Sequence, residues 1–353
     1  MLRSLRTKDL LVVTLLTAVM LQFHADNDAV AKARAGGSNA GVAQGAPQGP
    51  AQAEADAMPS PLVTVVARPS YAPGSTEWAV FDALNDARAK GNFGLLAQDT
   101  RLDAAAAGHG DYMAQNLGGA ISHRQDAAKP GFSGATPIDR VRAIGYDTAV
   151  AFEAVSSGTS AKGCLELLNT VYHLGLLMIG ATDVGIAVNP SAGCVIEPQV
   201  PGRAPRMQAR PAGTVGVYPY PGQHGVPASF MPATEMPNPA SDLGDAVVGP
   251  PILVDLTSAA PGGLAPSDIA IGRFALIEAA SGKLVEARVL ASRSVAARAG
   301  AEVELRVDRR LASAGHVFLL PLRPLKPTAS YEVEFSASVN GMAVSRRWDF
   351  TTR

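Results

Sequence analysis

The chain is predicted to carry two folded parts of different class, an α+β part in its middle followed by an all-β sandwich. Three observations predict this. Apolar residues recur at helical spacing from residue 76 to residue 171, the period then drops to two over 183–189, and beyond Pro251 only short β-rich runs remain. A length of 353 residues also exceeds one ordinary core. Charged residues make up 17%, and 30 basic residues nearly cancel 31 acidic ones. That balance leaves no electrostatic footprint for nucleic acid or an anionic membrane.

The N-terminus reads as an export signal, residues 1–31. The basic stretch MLRSLRTKD precedes the apolar run LLVVTLLTAVML, and Ala29-Val30-Ala31 offers the small residues a signal peptidase reads. The run is shorter than the roughly 20 apolar residues of a membrane span and breaks at His24 and Asp26, so no stable transmembrane segment is expected after processing. An uncleaved anchor is the alternative. Residues 32–73 are rich in Ala, Gly, Gln and Pro up to about Pro61 and are expected to be a disordered linker.

The first domain is expected over 74–200. Gly74-Ser75-Thr76-Glu77 starts a helix with Val80, Phe81, Leu84 and Ala87 on one face, ended by Gly91. Thr100 is expected to cap a second helix, whose stripe Leu102, Ala105, Ala106, His109 and Met113 points His109 inward. Thr136-Pro137 opens a third helix, which stops at Gly145. A fourth opens near Thr159-Ser160 and carries Cys164, Leu167, Leu168 and Val171. Val184, Ile186 and Val188 then alternate along a strand, and the turn residues 189–193 lead into Cys194-Val195-Ile196, so a hairpin is expected. In an exported chain Cys164 and Cys194 suit a disulfide closing about 30 residues; two buried free thiols are the alternative.

Residues 201–248 are dense in Pro and Gly and are expected to be a linker, with the β-sandwich over 249–353. Its expected strands include 252–256, 274–277, 303–307, 317–320, 331–335 and 347–351. The stretch from Leu325 to Tyr331 resembles the corner at which a sandwich tyrosine hydroxyl bonds back to the backbone, which makes the sandwich immunoglobulin-like.

Taken in order, Leu84-Asn85-Asp86-Ala87-Arg88, the stretch Ala105 to Met113, Ser122-His123, Gly145-Tyr146 and Asn169-Thr170-Val171-Tyr172-His173 resemble the bacterial, SCP-like branch of the CAP superfamily, over residues 76–200. That superfamily comprises the cysteine-rich secretory, antigen 5 and pathogenesis-related proteins. The resemblance implies a multidomain chain in which an α-β-α sandwich CAP domain precedes the immunoglobulin-like domain. It also implies a cleft of two histidines and two acidic residues that holds a divalent metal in some members. His123 and His173 match the two histidines, and Glu153 stands at the first acidic position, although Phe152-Glu153-Ala154 replaces the usual Gly-Glu-Asn. The second acidic position has no match, since Thr170 lies there and Glu166 is displaced by four.

Two imidazoles and a carboxylate could bind zinc, with His123 and His173 as ligands, or serve as acid and base; ordinary surface roles are the alternative. His109 is either a further cleft residue or a core histidine. His24, His224 and His316 have no expected partner. No G-x-S-x-G elbow, H-E-x-x-H helix or glycine-rich phosphate loop occurs, so no residue is singled out as catalytic. The favoured expectation is an exported cell-envelope or extracellular protein that binds a lipid or envelope component without catalysis, the β-domain serving as an accessory. A metal-assisted hydrolase of envelope peptides or proteins is the alternative.

Overall fold

The computed structural model describes residues 60–203, 206–260, 265–293, 295–300 and 304–353. The expected export signal, most of the first linker and the beginning of the run 303–307 lie outside the described residues. No helix among the described residues is long and apolar enough to cross a membrane.

In chain order the elements are β1 (Ser60–Pro61), α1 (Thr76–Lys90), β2 (Ala97–Gln98), α2 (Thr100–Leu117), α3 (Pro137–Ala143), β3 (Ala154–Ser156), α4 (Ala161–Leu165), α5 (Val171–Leu177), β4 (Asp183–Asn189) and β5 (Gly193–Gln199). There follow β6 (Gln208–Ala209), β7 (Gly216–Tyr218), β8 (Gln223–Val226), β9 (Ile252–Asp255), β10 (Asp268–Glu278), β11 (Lys283–Leu284), β12 (Ala287–Ser292), β13 (Ala296–Ala299), β14 (Leu305–Asp308), β15 (His316–Pro321), β16 (Ser330–Val339) and β17 (Met342–Thr352).

Local signals explain most helix ends. Ser75 caps α1 by accepting from the Trp78 N–H, and Gly91 closes it. Asp99, one residue before the expected Thr100, caps α2 through the Arg101 N–H. Thr136 and Asp139 form a capping box at α3, with Pro137 in its first turn. The expected fourth helix is instead three pieces: α4, a 3-10 turn over Glu166–Asn169, and α5. Thr170 adopts extended backbone and breaks it.

The first sheet has the order β2-β4-β5-β3. On one face, Ala106 and Met113 of α2 pack against Val155 and Val195. On the other, Leu84 of α1, Cys164 of α4 and Leu174 of α5 pack against Ile186, Cys194 and Ile196. Helices on both faces leave every residue of β5 buried. At Gly185 an added Cβ would run into the backbone of Leu102, so only glycine lets α2 lie this close to β4. The disulfide Cys164–Cys194 joins α4 to β5 with Cα atoms 5.6 Å apart.

The sandwich consists of a five-stranded sheet, β14-β12-β15-β9-β7, and a six-stranded sheet, β11-β10-β16-β17-β8 with β13 beside β10. Ile252, Val254, Val317 and Leu319 face the six-stranded sheet, whereas their neighbours Leu253, Phe318 and Leu320 join the helices of the first domain in one continuous core. Helix, sheet, helix, sheet and sheet are therefore stacked in turn. The five-stranded sheet is covered on both sides, which explains the unbroken apolar runs 252–254 in β9 and 317–320 in β15. The Tyr331 hydroxyl accepts from the Lys326 N–H at 2.8 Å, as the corner motif predicts.

The described parts of both expected linkers, 60–73 and most of 201–248, are ordered. Residues from Ser60 form an extended strap, held where the Val63 N–H donates to Gln208 Oε1 (2.6 Å) and the Ser70 N–H to Gln98 Oε1 (2.6 Å). The segment 201–248 supplies β7 to one sheet of the sandwich and β8 to the other. Its Pro and Gly shape turns between short strands instead of leaving the chain free.

Candidate functional site

His109 lies on the buried face of α2, and the chain leaving α2 brings Ser122, His123 and Gln125 back across it. The His109 Nε2–H donates to the Ser122 carbonyl (2.6 Å), which leaves Nδ1 to accept from the Gln125 amide (3.0 Å). Those partners specify a neutral ring, and burial lowers its pKa in the same sense. His109 is thus a satisfied core histidine, with Nε2 also 3.7 Å from Glu153.

Glu153 immediately precedes β3 and has no exposed side-chain surface. Its Oε1 meets His123 Nδ1 at 2.7 Å, and its Oε2 accepts from Arg140 of α3 at 2.5 Å. Burial alone would raise this carboxyl, but the Arg140 guanidinium, with the His123 hydrogen bond, outweighs it and holds it at about 2. Arg140 is equally enclosed and also donates to the His123 carbonyl (3.2 Å). Glu197 of β5 completes the cluster, wholly buried, with neither oxygen accepting a hydrogen bond. Burial, then the neighbouring Glu153 charge, raises its pKa well above the ordinary carboxylate value.

His173 takes its partner from elsewhere. It stands in the first turn of α5, with Nδ1 3.0 Å from Glu235 Oε1 and 3.1 Å from Thr170 Oγ1. The buried Glu235 carboxylate also accepts from the N–H groups of Val171 (2.8 Å), Tyr172 (2.7 Å) and His173 (3.2 Å). It arrives from the segment expected to be a linker, 62 residues along the chain from His173. Glu166, by contrast, sits in the 3-10 turn and lines a different cavity.

His123, Glu153 and His109 are therefore gathered around Arg140, while His173 is held by Glu235. Of these residues only His123 and His173 reach solvent, with 17% and 19% of the side chain exposed. The donors do not fit a divalent cation as they stand. Both Glu153 oxygens are committed, the guanidinium already supplies the positive charge, and among the described residues no group of three or more His, Cys, Asp or Glu is arranged to hold a metal ion. What the arrangement can do is fix the His123 ring on the surface and keep its buried carboxylate ionised.

Elsewhere on the first domain a groove of about 490 Å³ runs along the outer edge of β4. Ile186 and Val188 supply apolar floor and Ala107 of α2 one wall. The edge N–H groups are already satisfied, Ile186 by Asp103 (2.9 Å) and Val188 by Glu77 (3.2 Å), so the strand is closed to further pairing.

Glu197 and Glu235 were missed by sequence reasoning. Glu197 carries a faint signal, a charged residue directly after the apolar run Cys194-Val195-Ile196; Glu235 carries none.

No family model matches the chain, and no curated protein matches it. A solved structure similar to part of it is the crystal structure of an extracellular protein containing an SCP domain from Bacillus anthracis str. Ames, 24% identical over 35% of this chain and 39% of that one, with a TM-score of 0.29.

Proposed function

We propose that this chain is an exported CAP-type module that binds a lipid or envelope component without catalysis, with an immunoglobulin-like sandwich as its accessory domain. The observation that carries this reading is the closed charge balance around Glu153. A carboxylate with no exposed surface and a buried arginine against it is a brace for His123, not a base or a metal ligand facing substrate. Export is supported by the Cys164–Cys194 disulfide, which persists in oxidising compartments. The ligand is placed in the groove along β4, whose volume of about 490 Å³ falls within the roughly 300–1,000 Å³ typical of small-molecule sites and whose lining is mixed in polarity.

The test is binding by the purified protein of lipids and envelope fragments extracted from its host. Ala107 is exposed within the groove, so Ala107→Trp fills the space without disturbing the core. Saturable binding lost in Ala107→Trp is the expected result. Zinc-dependent hydrolysis of envelope peptides that disappears in His123→Ala would overturn the reading in favour of a hydrolase.

A further inference from the structure

The groove along β4 has charges of one sign only. Glu77 of α1 and Asp103 and Asp111 of α2 open onto it, and no lysine, arginine or histidine does. Among the described residues, every group that donates to these carboxylates is neutral. Asp103 accepts from the Tyr71 hydroxyl (2.6 Å), the Gln98 amide (2.6 Å) and the Ile186 N–H (2.9 Å), Glu77 from the Val188 N–H (3.2 Å), and Asp111 from the Asn189 amide (2.8 Å). Such donors fix where the carboxylates point without neutralising them. Arg68 does not help, since its guanidinium lies 4.8 Å over the Trp78 ring and outside the groove.

The three charges are strung along the strand. Asp103 is tied to Ile186, Glu77 to Val188 and Asp111 to Asn189, a span of roughly 10 Å at the rise of a β-strand. That spacing agrees with the lack, among the described residues, of any group of three or more His, Cys, Asp or Glu able to hold a metal ion. One compact cation therefore cannot answer all three. Beside the carboxylates, Ala107, Val188 and Pro190 give the groove apolar surface. Burial raises the pKa of Asp103, and in such surroundings a cation gains more from a carboxylate than it would in open water.

On the reading that this groove is the ligand site, we propose that the component it binds is polycationic, a chain of aliphatic ammonium groups of the polyamine type. A cleft lined by one sign of charge concentrates ions of the other sign and repels its own, so anionic head groups are turned away. A chain in which ammonium groups alternate with methylenes sets its charges against the separated carboxylates and its methylenes against the apolar wall, as the stem of a lysine does.

The experiment is calorimetric titration of the full chain with spermidine at low ionic strength, run beside the binding assay on host extracts. Saturable binding that weakens with added salt is expected. Glu77→Gln and Asp111→Asn keep the oxygens that accept from Val188 and Asn189 and remove only charge. Each should weaken spermidine binding about tenfold, the worth of one charge-assisted contact. Ala107→Trp should abolish it, and Glu286→Gln, in the sandwich with 67% of its side chain exposed, should leave it unchanged. Absence of saturable spermidine binding, or binding that survives both charge removals, overturns the proposal. An extracted ligand without amines that binds the wild type and not Ala107→Trp keeps the groove as the ligand site and overturns its polycationic ligand; binding of neither spermidine nor any extracted component overturns both.

Discussion

At the scale of single residues, Arg140 and Glu197 set the behaviour of the buried cluster. Removing Arg140 leaves Glu153 ionised without its cation in the interior. Arg140→Met should therefore lower the unfolding free energy by about 3–5 kcal/mol in urea denaturation, and adding Glu153→Gln should restore part of it. The two glutamates respond to pH in opposite senses. Glu153, held at about 2 in the folded chain against roughly 4.3 unfolded, stabilises above pH ~4.3, and that contribution is lost as pH falls towards 2. Glu197, whose folded pKa is raised, favours the fold below its unfolded value and erodes it as pH rises towards the folded one. Glu197→Gln should accordingly raise the melting temperature at pH 7 and leave it nearly unchanged at pH 4, as thermal scans at the two values will show. The inward placement of His109 was legible from the apolar stripe of its helix, and His123 and Glu153 were expected from short motifs in a fixed order around them. Arg140 was not, since an arginine in an amphipathic helix ordinarily lies in water, and nothing local reports that this one is enclosed.

At the scale of elements, capping and close approach decide what the sequence could disclose. The ends of α1 and α3 were readable from Ser75, Gly91 and the Thr136-Pro137 pair, because each acts within four residues of its own helix. The break at Thr170 was hidden, because the carboxylate that satisfies the α5 N-terminus is Glu235, far along the chain. Glu235→Ala should leave three N–H groups of α5 without their acceptor. A loss of about 1–3 kcal/mol is expected, with faster hydrogen exchange at residues 171–173 than elsewhere in the helix. Gly185→Ala tests the contact between α2 and β4. The new methyl group must push the helix off the strand, and a destabilisation of about 1–3 kcal/mol or more is expected by the same denaturation assay.

At the scale of the whole molecule, the two parts expected from the change in period are present, but they are not independent. The core that holds Leu84, Leu174 and Leu177 also holds Leu253, Phe318 and Leu320. The short β-rich runs beyond Pro251 were read as strands from their composition and turn residues, whereas burial of the five-stranded sheet on both faces is a long-range fact that no window of sequence contains. Calorimetry should give one unfolding transition for residues 60–353, and two well-separated transitions would show the shared core to be weak.

The placement of β7 and β8 has a kinetic consequence. β8 pairs with β17, so Gln223 lies opposite Phe350 near the last residue of the chain, and β7 closes the sheet that begins only at β9. A chain that emerges N-terminus first cannot cover the helices of the first domain until β15 has been delivered, nor complete the six-stranded sheet until β17 has. Such non-local closure makes folding slow and late, because early segments must wait for distant partners before their contacts can form.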